Sequence, residues 1–391
     1  MSVLVREIRP WGGPPTDLGI VDGRFISPSD LPAGTPVIDG QRRIALPTAV
    51  NAHVHPDKTM WGQSWLSRPP MRHLSEFINF DVQAREGLGG TVAARAGGLL
   101  RDAVASGTRA MRAHVDVAPV YGLENLVGVA AAAAELSSAL DVQVVAFPQL
   151  GVMCTPGTAD VMREAMAAGA HLVGGLDPWS IDNDAEGQLS LLFSLAHEFD
   201  AGIDIHLHDH QDAGAQMVRE IAERALAEGL YGRLTISHAF GLGEVSTEVL
   251  TPVIDALVAG GVSLTTCAHG DEPLLPLREL AAAQVPVGLG TDGIRDPWSP
   301  YGSPDMLERA WLTAYRLGVS SDDEVTAAYR LAVDSATTFM GLEPNEFNVG
   351  DPADFMLVRG ECTPQVVVDR PPRDYVFRHG IAVATDGKCL L

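Results

Sequence analysis

The sequence predicts a (β/α)8 TIM barrel, of the α/β class, with a small β-sandwich built from the N- and C-terminal segments. Three observations predict this fold: eight short apolar runs alternate with helical stretches, the alternation extends over 49–336, and polar residues recur where the runs end. Such a barrel takes about 250 residues before insertions. We therefore expect a composite sandwich of 1–46 and 349–391 around a barrel of 47–348.

The two ends of the chain have the pattern of short antiparallel strands. In 3–46, apolar runs such as Leu18-Gly-Ile-Val alternate with turn pairs such as Asp22-Gly23. Near the C-terminus, strand-like runs begin at Asp354, Gln365, Asp374 and Ile381, and Asp386-Gly387 is a hairpin signal. We expect the two ends to share one sheet.

The middle of the chain supplies the barrel. The predicted strands are 49–55, 108–115, 142–149, 171–176, 203–208, 234–238, 262–266 and 285–291. The predicted helices are 91–105, 124–139, 160–168, 185–199, 213–227, 245–259 and 274–283, followed by 305–317 and 322–336. A doubly wound open sheet is disfavoured because no Gly-x-Gly-x-x-Gly follows the first strand.

Composition and charge exclude several classes of partner. Apolar residues make up 46% of the chain and charged residues 20%, which is typical of a packed globular protein. A formal net charge of −23 disfavours nucleic acid and anionic lipid, and a small neutral or cationic substrate fits better. Because we find no transmembrane stretch and no signal peptide, we expect a cytoplasmic protein with no membrane partner.

The four cysteines do not form a recognisable motif. Cys154, Cys267, Cys362 and Cys389 are far apart and include no Cys-x-x-Cys pair. This spacing indicates neither a disulfide scaffold nor a thiolate zinc site, and we interpret them as buried or incidental thiols.

Two histidines end the first barrel strand. Because side chains alternate along a strand, His53 and His55 point to the same side, here the barrel interior. A lone buried histidine is more often structural, but two inward imidazoles are costly to bury without a shared partner such as a metal. Taken alone, this pair leaves both interpretations open.

Further candidate ligands lie at the same rim. His206 is near the end of the fifth strand, His238 ends the sixth, and Asp292 follows the eighth. Imidazoles combined with one carboxylate suit Zn²⁺ or Fe²⁺ and leave a position for water. The set as a whole predicts a metal site.

Six motifs in register give a resemblance to a known family. The chain resembles the amidohydrolase superfamily, and within it the cytosine deaminase branch. The similar segments are Ala52-His-Val-His55-Pro-Asp-Lys58, Arg112-Ala-His-Val-Asp116, Val145-Ala-Phe-Pro-Gln149, Ile203-Asp-Ile-His206, Ser237-His238 and Asp292-Gly-Ile-Arg-Asp-Pro-Trp298-Ser-Pro-Tyr-Gly302. Gly350-Asp-Pro-Ala-Asp354 resembles the segment that returns to the sandwich.

The resemblance implies a role for each site residue. His53, His55, His206 and Asp292 would hold one divalent ion, Zn²⁺, Fe²⁺ or Mn²⁺. His238 would orient the attacking hydroxide, and Gln149 would hydrogen-bond a substrate carbonyl. A single ion is expected because the third strand ends in Gln149 and the fourth offers no bridging Lys or Glu. The resemblance also implies a homo-oligomer.

Acid and base assignments follow the same pattern. Asp292 would accept the proton of the attacking water. The family places a Glu three residues after the strand-five histidine, where this chain has Asp209; that carboxyl group or a neighbouring histidine would be the general acid. Cytosine deaminases carry a second Asp where this chain has Gly293, which removes a pyrimidine contact and is expected to open space beside the ring.

We therefore expect a metal-dependent deaminase of a small nitrogen heterocycle other than cytosine. Two alternatives stay open. One is a hydrolase of the same superfamily that removes a larger amine or opens a cyclic amide. The other, from a different class, is a barrel that binds a ligand without turnover.

Several neighbouring residues have two interpretations. Trp298 either stacks on a planar substrate ring or anchors packing between two prolines. Lys58 and Asp57 are interpreted as a surface ion pair, and His114 as a pocket or packing residue. His208 and His210 would face solvent or a neighbouring loop. Trp61 and Trp65, four residues apart, fit one apolar helical face that caps the pocket.

Overall fold

The computed structural model describes residues 2–85 and 87–391. The chain begins with five strands outside the barrel: β1 (Ser2–Pro10), β2 (Thr16–Val21), β3 (Arg24–Ile26), β4 (Val37–Asp39) and β5 (Ile44–Pro47). Eight parallel strands follow: β6 (Ala49–Val54), β7 (Thr108–Asp116), β8 (Asp141–Phe147), β9 (Leu172–Leu176), β10 (Gly202–Leu207), β11 (Leu234–His238), β12 (Ser263–Thr266) and β13 (Val287–Leu289). The last four are β14 (Phe355–Val358), β15 (Arg373–Arg378), β16 (Ile381–Thr385) and β17 (Lys388–Cys389).

Helices separate the parallel strands and continue beyond them. They are α1 (Leu74–Arg85), α2 (Val92–Ala105), α3 (Glu124–Glu135), α4 (Thr158–Ala167), α5 (Ala185–Phe199), α6 (Gln211–Ala227), α7 (Thr247–Gly260), α8 (Leu277–Ala282), α9 (Met306–Leu317), α10 (Asp322–Arg330), α11 (Ala336–Phe339) and α12 (Thr363–Asp369). Short 3-10 turns lie at Pro28–Asp30 and Phe240–Gly243, and a π turn at Leu331–Ser335. Among the described residues, no helix has the length and apolarity needed to cross a membrane.

The predicted barrel is confirmed. Strands β6 to β13 pair in sequence order, and the first and last approach each other where Val54 bridges Asp292. The backbone NH groups of Thr291 and Asp292 both donate to the carbonyl of His53, at 2.9 Å. This closure brings a ligand-bearing strand end directly beside Asp292. Apolar strand and helix faces, such as Leu99, Leu192 and Ile221, form the layer between barrel and helices.

The chain ends share one sheet, as predicted. Its order is β17-β16-β15-β14-β5-β1-β2-β3, with β4 paired to β1. Strands of both ends enclose one apolar core that contains Ile8, Phe25, Phe355 and Phe377, with the last two rings stacked at 4.5 Å. Burial on both halves of a strongly folded sheet is the arrangement expected of a small sandwich.

Three local expectations are wrong. The run beginning at Gln365 is helix α12, because Pro364 favours the first helical turn and Val366 and Val367 are both buried, as on one helical face. Helix α1 was not predicted from the sequence. Trp61 and Trp65 lie in an irregular segment that precedes α1, so they form no helical face.

Candidate metal centre

The ligand candidates come from four strand ends at one rim of the barrel. His53 lies in β6 and His55 directly follows it, so the alternation of the strand directs both rings inward. His206 lies in β10 and His238 ends β11. Asp292 follows β13 and is held against β6 by the closure hydrogen bonds.

Three predicted ligands, His53, His55 and His206, offer ligand atoms within 4.8 Å of one another, and Asp292 lies beside two of them. The Nε2 atoms of His55 and His206 are 3.2 Å apart. Oδ1 of Asp292 lies 3.2 Å from Nε2 of His55 and 3.6 Å from Nε2 of His53. All three imidazoles are buried, with at most 4% of their surface exposed. Burial lowers the pKa of His55 to about 4, so its ring is neutral and has a free lone pair.

The nitrogen atoms that face the centre of the cluster fit a cation. Within 2–85 and 87–391, Nε2 of His53 is buried without a hydrogen-bond partner, and Nε2 of His55 and Nε2 of His206 face each other at 3.2 Å. Buried polar groups are almost always paired, and an unpaired one costs about 1–3 kcal/mol. Three neutral imidazoles and one carboxylate suit a divalent ion that prefers nitrogen and oxygen ligands.

A buried chain of hydrogen bonds fixes the ring of His53. Arg112 donates to Oδ2 of Asp204 at 2.8 Å, and the Ser237 hydroxyl donates to Oδ1 of the same carboxylate at 2.8 Å. The Ser237 oxygen is then the acceptor for Nδ1–H of His53, at 2.9 Å. This direction leaves Nε2 of His53 unprotonated and aimed at the cluster. Partners of this kind orient metal ligands.

His238 lies beside the cluster and carries a second histidine on its face. Nε2 of His238 is 3.8 Å from Oδ2 of Asp292, and neither of its ring nitrogens has a hydrogen-bond partner among the described residues. The ring of His208 stacks on it, with centroids 4.6 Å apart. Burial lowers the pKa of His208, but Asp177 at 2.7 Å outweighs it, and the pKa is raised. His208 is thus half-buried and engaged, not solvent-facing.

Asp209 is half-buried next to His208. Its Oδ2 has no hydrogen-bond partner within the described chain, and burial raises the pKa of its carboxyl group. Asp292 differs: burial raises its pKa, but the imidazoles of His269, His53 and His55 lower it well below the usual range. The pKa shifts therefore favour the protonated acid at Asp209 and the carboxylate at Asp292.

Lys58 and Asp57 do not form the expected surface pair. Lys58 is 2% exposed, and its ammonium donates to Oε1 of Gln149 at 2.6 Å and to Asp116 at 3.3 Å. Asp57 is also buried, 3.5 Å from Arg85. Burial lowers the pKa of Lys58, but the carboxylates around it raise the pKa above its usual value. Because Lys58 occupies Oε1 of Gln149, the amide NH2 group of Gln149 is the end left to donate.

Trp298 and helix α1 form one wall near this lysine. The ring of Phe77 in α1 stacks on Trp298, with centroids 5.6 Å apart and planes at 21°. The ammonium of Lys58 lies 5.4 Å from the centre of the Trp298 ring. Asp81, also in α1, is buried 3.8 Å from the same ammonium. The wall therefore consists of two aromatic rings next to the ion pair of Lys58 and Asp81.

Gly293 does not open space as expected. A Cβ atom at this position would lie 2.0 Å from Oδ2 of Asp296. That carboxyl group is buried, and its Oδ1 accepts from the backbone NH groups of Trp298 and Ser299 at 2.9 Å. The place of a side chain at 293 is thus filled by Asp296, whose pKa burial raises to about 7.

The sequence interpretation missed two residues near the cluster. Nε2 of His269 donates to Oδ2 of Asp292 at 2.5 Å, and Cys267 is buried nearby. Both follow β12 at the same rim, so inspecting every strand end would have found them. His114 is buried and stacked on His53 at 3.9 Å, and with His53 and Asp204 it forms a further group of potential ligand atoms. His210 is exposed and pairs with Glu244 at 3.0 Å.

Comparisons with known proteins identify a matching family and similar structures. Residues 82–382 match a family model described as amidohydrolase family. The chain is 30% identical to N-isopropylammelide isopropyl amidohydrolase of Pseudomonas sp. (strain ADP), over 95% of this chain and 94% of that protein. The crystal structure of N-isopropylammelide isopropylaminohydrolase from Burkholderia multivorans is 35% identical, covers 100% of both chains and has a TM-score of 0.95.

A more distant structure shares the fold. The 5-methylcytosine deaminase of Klebsiella pneumoniae, liganded with 5-fluorocytosine, is 22% identical and covers 98% of this chain and 97% of its own. Its TM-score is 0.83. The barrel and the terminal sheet are thus a shared architecture.

Proposed function

The chain belongs to the amidohydrolase family, and we propose that it hydrolyses an exocyclic carbon–nitrogen bond of a small nitrogen heterocycle with one divalent ion. The predicted resemblance is confirmed, and the chain is a hydrolase of carbon–nitrogen bonds other than peptide bonds. The family is metal-dependent, and the chain has a histidine and aspartate cluster suited to a metal.

The observation that carries the proposal is the convergence of the His53, His55 and His206 imidazoles, with Oδ1 of Asp292 beside two of them and Nε2 of His53 unpartnered among the described residues. A single ion is supported because Gln149 follows β8 and is engaged by Lys58, while Asp177 after β9 accepts from Nδ1 of His208. Neither residue is free to bridge a second ion. The ion is zinc, iron or manganese, because this set of ligands accepts all three.

Different residues activate and orient the attacking water. When bound, a divalent ion lowers the pKa of water toward about 7 and so supplies a nucleophile at neutral pH. Asp292, whose pKa is low, accepts the proton of the attacking water. His238, beside Oδ2 of Asp292, orients that water toward the ring carbon.

The leaving nitrogen needs a proton, and two groups are placed to give it. Asp209 has an unpartnered oxygen and a raised pKa, so its acid form persists closer to neutrality. His208 is stacked on His238, and Asp177 raises the pKa of its ring against the effect of burial, so it is the second candidate acid. Asp209 is favoured because its oxygen is free, whereas Nδ1 of His208 is held by Asp177.

Gln149 and Trp298 are the groups that hold the substrate. The free NH2 group of Gln149 donates to a ring carbonyl, and Lys58 fixes the orientation of that amide. The Trp298 face, backed by Phe77, stacks on a planar ring. A carbonyl-bearing heterocycle such as a hydroxylated triazine or a pyrimidine satisfies both contacts.

The leaving group is either ammonia or a larger amine. The Pseudomonas and Burkholderia relatives described above act on N-isopropylammelide according to their names, which favours an alkylamine as a second candidate. Asp209 in place of the longer Glu, and Gly293 in place of Asp, both argue against cytosine itself.

Matched substrates separate these possibilities. Metal-loaded protein is given N-isopropylammelide and its unsubstituted amino analogue, together with cytosine and a pterin, and release of amine or ammonia is measured. We expect turnover of a triazine or pterin with cytosine at least about 100-fold slower, since losing a charged hydrogen bond costs about 1.5–3 kcal/mol and a displaced acid adds to this. Cytosine turnover with kcat/KM above about 10⁵ M⁻¹s⁻¹ contradicts the proposal.

We also infer a homo-oligomer acting on a small molecule, from the resemblance. Size-exclusion chromatography with light scattering tests the assembly. A monomer at micromolar concentration is the contrary result.

A further inference from the structure

The two oxygens of Asp292 face two different groups of side chains. Oδ1 lies toward His53 and His55, at 3.6 and 3.2 Å. Oδ2 lies 2.5 Å from Nε2 of His269 and 3.8 Å from Nε2 of His238. The Asp292 carboxylate therefore lies between two groups of histidines, His53 and His55 on the Oδ1 side and His238 and His269 on the Oδ2 side.

The second half is itself a complete donor set. His238, Cys267, His269 and Asp292 each offer one ligand atom, and these atoms all lie within 4.8 Å of one another. His238 and Cys267 are each 2% exposed, whereas the side chain of His269 is 33% exposed and gives the set a route to solvent. Both ring nitrogens of His238 have no hydrogen-bond partner among the described residues. Two imidazoles, one thiol and one carboxylate are four ligands of the kind that bind Zn²⁺.

The backbone that carries these ligands is held from outside. Arg309 donates to the carbonyl of Cys267 at 2.5 Å and to that of Thr291 at 2.8 Å. Arg316 donates to the carbonyl of His269. The strand ends β11, β12 and β13 that supply the set are neighbours in the barrel. The ligands therefore come from fixed elements, as a designed site requires.

We propose that Oδ2 of Asp292, His238, His269 and Cys267 form a second, weaker cation site, and that a thiophilic ion such as Zn²⁺ or Cd²⁺ in excess inhibits turnover there. The inhibition, though not the site itself, rests on the proposed function, because it follows from the roles of Asp292 and His238. An ion on Oδ2 occupies the carboxylate that accepts the proton and immobilises His238. Binding is weaker than at the first site because both ions share one carboxylate and repel each other.

The thiol sets the selectivity of this site. A thiolate ligand favours Zn²⁺ and Cd²⁺ over Mn²⁺ and Mg²⁺, which prefer oxygen ligands. When such an ion binds, Cys267 gives up its proton to solvent, and His269 exchanges its Nε2 proton with solvent for one on Nδ1, so that Nε2 has a free lone pair. The first site, made of imidazoles and a carboxylate, has no sulfur ligand. Binding of Cd²⁺ at the second site therefore produces an ultraviolet thiolate-to-metal band that the first site cannot give.

The experiment starts from protein that retains one equivalent of Zn²⁺ after gel filtration. Cd²⁺, Zn²⁺ or Mn²⁺ is then added, while stoichiometry, the thiolate band and activity are recorded. We expect one further equivalent of Cd²⁺, the thiolate band, and at least tenfold loss of activity that a chelator reverses. Mn²⁺ at the same concentration leaves activity unchanged. If wild-type protein binds no second equivalent that gives a thiolate band, the proposal is overturned.

Variants locate the second ion. Cys267→Ser and Cys267→Ala should lose the band and weaken the second equivalent at least about tenfold, or about 1.4 kcal/mol. His269→Asn should weaken it similarly. Cys154→Ser, which removes an exposed cysteine, is the matched control and keeps the band. Each variant is compared with its own activity at one equivalent.

Two outcomes separate this proposal from the proposed function. If Cys267→Ser and wild type are half-inhibited at the same concentration of added ion, the inhibitory ion binds elsewhere. This result overturns the second site only. Failure of wild-type protein to retain the first equivalent, with a thiolate band still formed on adding Cd²⁺, supports the second site and contradicts the mononuclear function.

Discussion

The two ends of the barrel contain equally buried polar groups that differ in how they are paired. At the amino-terminal end, the Asp354 carboxylate accepts from Arg109 at 3.3 Å, from Arg378, and from the backbone NH of His379 at 2.6 Å. Arg378 also donates to Asp141 at 2.5 Å. At the carboxyl end, the imidazoles of His53, His206 and His238 leave nitrogens without partners in the described chain.

The difference separates stability from function. In the amino-terminal network the carboxylates compensate the arginine charges, although Nε of Arg109 has no hydrogen-bond partner among the described residues, and removing a carboxylate leaves an uncompensated charge. A cluster of unpaired imidazoles is costly until a cation completes it. The amino-terminal network joins β7 and β8 to the terminal sheet, whereas the carboxyl-terminal cluster offers ligand atoms to a cation. Variants at the two ends should therefore fail in different assays.

The largest expected effect is at Asp292. Asp292→Asn should keep the fold and lower kcat at least about 10³-fold, because an amide neither accepts the proton of water nor gives the ion the same charge. His53→Ala should lose the metal as well. Activity is measured on the best triazine or pterin substrate, with metal content by elemental analysis. Activity of Asp292→Asn within about tenfold of wild type, or 1.4 kcal/mol, excludes Asp292 as the base.

The sequence predicted the site residues that lie at the ends of recognisable barrel strands. His53, His55, His206, His238 and Asp292 all end or follow barrel strands, so the alternation of strands and helices was enough to bring them together. The resemblance assigned their roles. His269 also follows a strand, but it has no neighbouring histidine in sequence to draw attention to it.

Other features depend on tertiary packing that the sequence pattern does not encode. Lys58 looked like a loop residue, yet β7, β8 and helix α1 surround it with Asp116, Gln149 and Asp81. Helix α12 contains a β-branched run that predicts a strand, and packing on α9 and α10 overrides that propensity. Gly293 looked like open space because nothing in the sequence shows that Asp296 folds back toward it.

The next largest effect is at the amino-terminal end. Asp354→Ala should lower the free energy of unfolding by about 3–5 kcal/mol, since Arg109 and Arg378 lose their shared partner. Metal content and kcat of the folded fraction should not change. Urea denaturation and elemental analysis measure the two. Loss of metal without loss of stability would show that the two ends are not separate in function.

A smaller effect is expected at Ser237, which supports the His53 ring at the carboxyl end of the barrel. Ser237→Ala removes the acceptor for Nδ1–H of His53 and should weaken metal binding about 10–100-fold, the range typical of such partners. Thr235→Val on the same strand is the matched control, because Thr235 accepts from Arg112 at 2.8 Å but contacts no ligand. Equal metal dissociation constants for the two variants contradict the orienting role of Ser237.

The smallest effect concerns the Asp296 carboxyl group beside Gly293. Burial raises its pKa to about 7, whereas an unfolded Asp has a pKa of about 3.9. Between these values the folded protein binds more protons than the unfolded chain. The stability contributed by the protonated group is therefore fully present below about pH 4 and is lost as pH rises through about 7.

Asp296→Asn should flatten this part of the stability profile. The amide keeps an oxygen that accepts from the backbone NH groups of Trp298 and Ser299, but it cannot ionise. The free energy of unfolding of metal-free protein is measured at pH 5, 6, 7 and 8. Relative to wild type, the variant should gain stability as pH rises, by at most about 1.4 kcal/mol per pH unit. Because all other titrating groups are common to both proteins, a difference that does not change with pH would show that Asp296 is already ionised at pH 5.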